Sequence, residues 1–189
     1  MAITEFWFYS HSLMVIPNLL IIAGTGNKSG KTSIACRIIE QYRHLKIFGI
    51  KITPHFHEVT DGLVTVLEES GYSVYEETNR ETSKDTSRML RAGAVKVYFA
   101  KVTDSTLEEA FFEILEHIPS KAPIICESPA LRNYIEPGLF IIMDSAGINK
   151  NKDICHLQRL PHVIFNLENI DMNQPLPVTF QNNKWACNK

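Results

Sequence analysis

The chain has 189 residues and a formal charge of −2 at neutral pH, enough length for one domain whose sheet is covered on both faces. That charge gives no electrostatic basis for a nucleic-acid partner, and no stretch reads as a secretory leader or a membrane span. The four cysteines, Cys36, Cys126, Cys155 and Cys187, are scattered without a CxxC pair; this usage points to a reduced, cytoplasmic protein with no structural zinc.

Residues 1–18 read as an amino-terminal extension. They are aromatic-rich (Phe6, Trp7, Phe8, Tyr9) yet carry Glu5 and His11 and run into Pro17, so a non-native leader, a strand and a partner-binding arm are all compatible with them. The body of the domain is residues 19–172. Its first strand, Leu19-Leu20-Ile21-Ile22-Ala23, breaks into Gly24-Thr25-Gly26-Asn27-Lys28-Ser29-Gly30-Lys31-Thr32-Ser33, and a helix with Ile34, Ile38 and Ile39 on one face follows to about His44. A glycine-bearing turn between a buried strand and a helix wraps backbone N–H groups around an anion. The helix dipole adds to the attraction, Lys31 is placed to reach outer phosphates, and the Thr32 hydroxyl is placed to ligate Mg²⁺. The usual spacing wants a glycine at Thr25, which Gly24 and Gly26 flank instead.

Lys46 to Lys51 reads as a second buried strand, completing a βαβ unit with parallel pairing. Beyond it come Thr53, His55, His57 and Glu58. The HxH pair has no third ligand in register, so a transition-metal site is not expected there. Val64 to Glu77 alternates around Ser70-Gly71 and predicts a projecting β-hairpin, with a helix over 63–70 as the competing reading. A helix follows over Lys84–Ala92, begun by Thr82 or Ser83 and stopped by Gly93, and then a strand over Val95–Val102. Ser105-x-x-Glu108 forms a capping box that opens a helix with an apolar stripe of Leu107, Phe111, Ile114, Leu115 and Ile118, ended by Pro119. Short apolar runs at Pro123–Cys126, Leu139–Met143 and His162–Phe165 read as strands buried on both faces. Residues 173–189, rich in Pro and Asn and without a period, form an extended or docking tail. The fold class is therefore α/β, three layers with a mostly parallel sheet and a projecting hairpin.

An acid at the end of a neighbouring buried strand is what a loop-bound metal needs. Glu127 directly after Ile124-Ile125-Cys126 has that position, at the edge where open α/β sheets bind ligands. Asp144, after Ile141-Ile142-Met143, is the alternative. Lys51 ends the second strand on the same edge. Two lures are declined: Asn149-Lys150-Asn151-Lys152-Asp153 misses the guanine-reading NKxD spacing by one residue, and Ser128-Pro129 lacks the glycines of a nucleophile elbow.

The segments GTGNKSGKTS, FGIKITPHFHE and, above all, KDTSRMLRAGAVKVYF resemble the molybdopterin-guanine dinucleotide biosynthesis protein B (MobB) family over roughly residues 18–127. The resemblance implies a GTP-binding accessory protein of molybdenum cofactor maturation, weakly hydrolytic and homodimeric, with the β-ribbon near the dimer interface and a cofactor-biosynthesis enzyme as partner. It places Lys31 and Thr32 on phosphate and Mg²⁺; Lys51, His55 and His57 along a switch-like loop; Asp85 near the nucleotide; and Glu127 in the metal-side acidic role. Beyond Glu127 the chain departs from that family, running into SPALRNYIEPGLF. The GT-x-x-x-x-GKT spacing also resembles dethiobiotin synthetase, which implies an ATP-dependent small-molecule ligase or kinase. A regulatory nucleotide-binding module without turnover is the third expectation.

Overall fold

The computed structural model describes residues 13–26, 28–54, 60–145, 154–171 and 174–188. Among the described residues ten strands and three α-helices fall in the order β1 (Met14–Gly24), α1 (Lys31–Gln41), β2 (Phe48–Thr53), β3 (Leu63–Glu69), β4 (Tyr72–Glu77), α2 (Asp85–Ala92), β5 (Lys96–Val102), α3 (Leu107–Glu116), β6 (Ile124–Glu127), β7 (Ile135–Met143), β8 (Val163–Phe165), β9 (Val178–Gln181) and β10 (Lys184–Cys187). Eight strands make one sheet in the order β3-β4-β5-β2-β6-β1-β7-β8. All its pairings from β5 to β8 are parallel, while β3 and β4 add an antiparallel hairpin at one edge. The architecture is the expected three-layer α/β one.

The apolar run of β1 explains the layering, because successive strand residues face opposite sides. Leu19, Ile21 and Ala23 pack with Phe111 and Ile114 of α3, whereas Leu20 and Ile22 pack with Ile34 and Ile38 of α1 and Met89 of α2. A strand enclosed this way must be apolar at every position, which is why the central runs do not alternate.

Several elements differ from the sequence reading. β1 starts at Met14, ahead of the apolar run, because Met14–Ile16 pair with Ile135–Pro137 of β7 across a bulge before Leu20. β2 lies two residues later than expected, at Phe48–Thr53, and so carries Lys51 inside the strand. The hairpin forms around Ser70-Gly71, with Gly71 in the left-handed region (φ 92). It is no lone ribbon, however: β4 pairs with β5 and buries Tyr72 and Val74 in the α3-side core. The capping box does not form. Thr106 is the N-cap of α3, one residue later than expected, and the Thr106 hydroxyl accepts from the Thr103 N–H and donates to the Gly71 carbonyl, tying the β5–α3 turn to the hairpin.

The tail folds. β9 and β10 pair across Asn182-Asn183, both at positive φ (52 and 57), which is the two-residue turn that matches strand twist. The hairpin seats the fully buried Trp185 edge-on against Tyr42 just past α1, at a centroid separation of 5.7 Å.

Candidate functional site

Sheet register brings the site together. On β6, Glu127 lies beside Ile22 of β1 on one side and Lys51 of β2 on the other, so the interposed strand puts an acid between the loop-bearing strand and the lysine-bearing one. All three strands point their carboxyl ends at the loop, and the cleft above them is a cavity of about 620 Å³. Its floor is Lys51 and Glu127, and Ser29 to Ser33 and Asp85 form one side.

The loop is built by special backbone positions. Gly30, at φ 89, is the N-cap of α1, and a Cβ there would also run into Leu167, which packs over the loop. The first intrahelical bond joins the Ile34 N–H to the Gly30 carbonyl, so the amides of Lys31, Thr32 and Ser33 precede the helical ladder at the positive end of the dipole. Lys28 also adopts positive φ (58). Thr25 turns away from the loop. Its hydroxyl accepts from the Ser145 N–H at 2.9 Å, lies 2.8 Å from the Ser145 hydroxyl, and its own N–H donates to the Met143 carbonyl. A side chain fits at this position because it has somewhere to go, and it fastens the loop to the end of β7.

Charges converge on the cavity floor. Lys31 Nζ donates to the Gly26 carbonyl at 3.1 Å and the Ser29 hydroxyl at 3.2 Å, spanning the loop's mouth. The Thr32 hydroxyl donates to Glu127 Oε2 at 3.2 Å. Lys51 is ion-paired with Asp85 and lies 3.7 Å from the same Glu127 oxygen. The other carboxylate oxygen, Glu127 Oε1, is buried without a hydrogen-bond partner. Burial pushes the Glu127 carboxyl above its ordinary pKa, a rise opposed by the Lys51 charge and the Thr32 hydrogen bond. Burial works upward on Asp85 as well, but the Lys51 hydrogen bond and charge, with help from Thr32 and Arg88, hold it below its usual value. The two acids differ: Asp85 is satisfied by its lysine, while Glu127 retains a buried, unpartnered acceptor beside the oxygen that takes the Thr32 hydrogen bond.

Gly24, Ser29, Gly30, Lys31, Thr32, Ser33, Lys51, Asp85 and Glu127 are thus gathered at one edge, as the sequence indicates. Asn27, His55, His57 and the Asn149–Asp153 segment lie outside the described residues. Asp144 sits at the β7 end with an oxygen 3.4 Å from the Thr25 hydroxyl, away from the Thr32–Glu127 pair. Sequence reasoning missed Arg88, whose Nη2 donates to the Ser33 hydroxyl at 3.2 Å and whose Nη1 lies 3.7 Å from Asp85. Its i,i+3 spacing from Asp85, on one helix face, was the available signal. Leu167 had none, since only the return of the chain past β8 brings it over Gly30.

Among the described residues no group of three His, Cys, Asp or Glu forms a metal cage. One hydroxyl and one or two carboxylate oxygens suit instead a hard cation that brings most of its own ligands, such as Mg²⁺ carried on phosphate oxygens. Comparison with protein-family models, curated proteins and solved structures finds no match to this chain.

Proposed function

We propose that the chain binds a nucleoside triphosphate with Mg²⁺ at this edge, the Gly24–Ser33 loop holding the phosphates. The observation that carries the reading is the Thr32–Glu127 pair: a helix-start hydroxyl and a buried carboxylate from the adjacent strand, 3.2 Å apart, with the second carboxylate oxygen unpartnered. Bound Mg²⁺ would neutralise phosphate charge and orient the outer phosphates. Thr32 and Glu127 are the residues to hold it, Glu127 through water. Lys31 exchanges its Gly26 and Ser29 partners for phosphate oxygens, and Lys51, kept in place by Asp85, lends a second positive charge at the outer end. Any turnover then rests on positioning and charge neutralisation.

GTP is the expected nucleotide and a MobB-like accessory role in molybdenum cofactor maturation the expected setting, both on the strength of the resemblance. The same holds for a cytoplasmic homodimer with weak hydrolysis. Among the described residues no helix is long and apolar enough to cross a membrane. Val64, exposed on the edge strand β3, marks a surface for the dimer.

A second reading, phosphoryl transfer to a small acceptor, is favoured by the length of the cavity. It continues past Lys51 to Val102, Asp104 and Leu107, beyond what the loop itself lines. Titration calorimetry with GTP and ATP, each with and without Mg²⁺, beside a turnover assay, separates the two. Mg²⁺-dependent GTP binding with slow hydrolysis supports the first, turnover only with an added small acid the second, and absence of binding by either nucleotide at millimolar concentration refutes both.

A further inference from the structure

At the opposite, amino edge of the sheet the chain buries an arginine that the carboxyl-edge site does not use. Arg132 lies in the short 3₁₀ turn Ala130–Asn133 between β6 and β7, next to the fully buried Leu131, and is itself only 3% exposed. Its Nη1 donates to the Ile135 carbonyl at 3.2 Å, and its Nε has no partner. The guanidinium stands 5.7 Å from the Phe140 ring centroid. Among the described residues it forms no ion pair. A guanidinium has five N–H donors and stays charged at any physiological pH, so Arg132, with one carbonyl hydrogen bond, the Phe140 ring beside it and the charge of the exposed Glu136 nearby, still keeps an unpartnered N–H.

This arginine lines a cavity of about 320 Å³, near the small end of the range for ligand pockets. Lys184 and His162 also line it, and Glu136 is its one acid. Glu136 is exposed and ion-paired to neither cation, so with a neutral imidazole the lining carries a net charge of +1. His162 Nδ1 is 2.8 Å from the Leu160 carbonyl; a carbonyl only accepts, so Nδ1 carries the proton and Nε2 is left for another group. Pro17, Leu139 and Phe140 supply apolar walls. The cavity keeps its shape through a close backbone approach: a Cβ on Gly138 would collide with the Pro17 carbonyl oxygen at the β1–β7 bulge.

We infer that this edge carries a second binding site, for a compact organic carboxylate with an apolar body whose head group pairs with Arg132. A guanidinium fork pairs with carboxylate and phosphate alike, so the choice of an organic carboxylate rests on the apolar walls, which give the body of the molecule a surface to cover and offer inorganic phosphate none. The site is independent of the nucleotide reading, since none of its residues lines the carboxyl-edge cavity.

The test uses the full chain with benzoate as probe, its uncharged isostere benzamide, and inorganic phosphate. The readouts are the Arg132 Nε–H signal in ¹H–¹⁵N spectra and the melting temperature. Benzoate is expected to shift that signal saturably and raise the melting temperature, with benzamide and phosphate at least about tenfold weaker. Arg132→Met is expected to abolish the benzoate effect, and Lys184→Met, at the exposed rim, to weaken it severalfold. No saturable shift with benzoate at tens of millimolar, equal binding of benzamide or phosphate, or full binding by Arg132→Met would each overturn the assignment. Should Arg132→Met fail to fold, the wild-type spectra and Lys184→Met still decide the matter.

Discussion

At the carboxyl edge Lys51 lies against both Asp85 and Glu127, and Arg88 against Asp85, whereas at the amino edge the buried Arg132 has one carbonyl hydrogen bond and, among the described residues, no ion pair. The first cluster has its charges in contact before any ligand arrives: Lys51 and Arg88 lie against Asp85 and Glu127, and Lys31 bonds to oxygens of the loop. What it leaves open is an acceptor, Glu127 Oε1, suited to a cation or its water. At the second edge the open valences are donors. Burial of charge costs several kcal/mol per ion unless compensated, so what each edge leaves unsatisfied is the best indication of the ligand chemistry it takes. The backbone differs in parallel. The carboxyl edge ends in a loop whose amides at Lys31, Thr32 and Ser33 precede the helical ladder, while the amino edge is filled by the Pro17–Gly138 approach.

The comparison predicts that substitutions in the loop change nucleotide binding with little effect on stability, whereas filling the Pro17–Gly138 approach costs stability and leaves nucleotide binding alone. The largest effect is expected from Lys31→Ala: triphosphate affinity falls by about 100-fold, roughly 2.7 kcal/mol, while the melting temperature stays within a degree or two of wild type. Calorimetry and thermal melts on the same preparation check this, and unchanged affinity would remove the loop from the phosphate role. Gly138→Ala is the converse. The added methyl meets backbone, which cannot swing aside as a side chain does, so overpacking should cost about 1–3 kcal/mol in denaturant unfolding with nucleotide affinity unaltered. A variant as stable as wild type would show that the two edges are equally pliant.

Glu127→Gln comes next. It removes a buried charge that burial already disfavours, so the nucleotide-free protein should melt slightly higher, while the Mg²⁺ enhancement of nucleotide binding drops about tenfold. A Mg²⁺ titration indistinguishable from wild type would pass the metal-side role to Asp144. The smallest effect concerns assembly. Deleting the β3–β4 hairpin would open the core beneath Tyr72 and Val74, so Val64→Lys on the exposed edge is the cleaner probe. Light scattering should show the dimer weakened and nucleotide binding intact; a wild-type monomer at tens of micromolar, about the range where transient contacts dissociate, would defeat the dimer.

What the sequence made legible was local. The β1–loop–α1 unit announced itself through an apolar run, glycines and an amphipathic helix in succession, and Gly93, at φ 119, ends α2 where the residue pattern said it would. Glu127 was readable as a strand-end residue because buried strands tolerate polar groups only where they emerge; Lys51, read the same way, instead lies inside β2, ahead of its end at Thr53, though its place near that edge was readable. Their adjacency was not: it depends on β6 slipping between β1 and β2, a pairing between segments some 75 residues apart. Met14–Ile16 are apolar but cut off from the main run of β1 by Pro17-Asn18, and the β7 pairing rather than side-chain burial holds them extended. The Ser105-x-x-Glu108 box failed because the hydroxyls of Thr103, Ser105 and Thr106 bond among themselves and to Gly71. Arg132, between the apolar Leu131 and the aromatic Tyr134, carried no mark of burial at all.

The clasp made by the β9–β10 hairpin ties the loop to a part of the chain far from it in sequence. Trp185 joins the core face shared by Leu20, Ile22 and α1, and β10 touches both β1 and β7, so the helix that carries Lys31 and Thr32 is backed by a strand that every strand of the eight-stranded sheet precedes. Closing so distant a contact costs chain entropy that local pairing does not. The footing of the loop therefore depends on an element that shares no turn with it, and Trp185 couples that element to the position of Lys31 and Thr32.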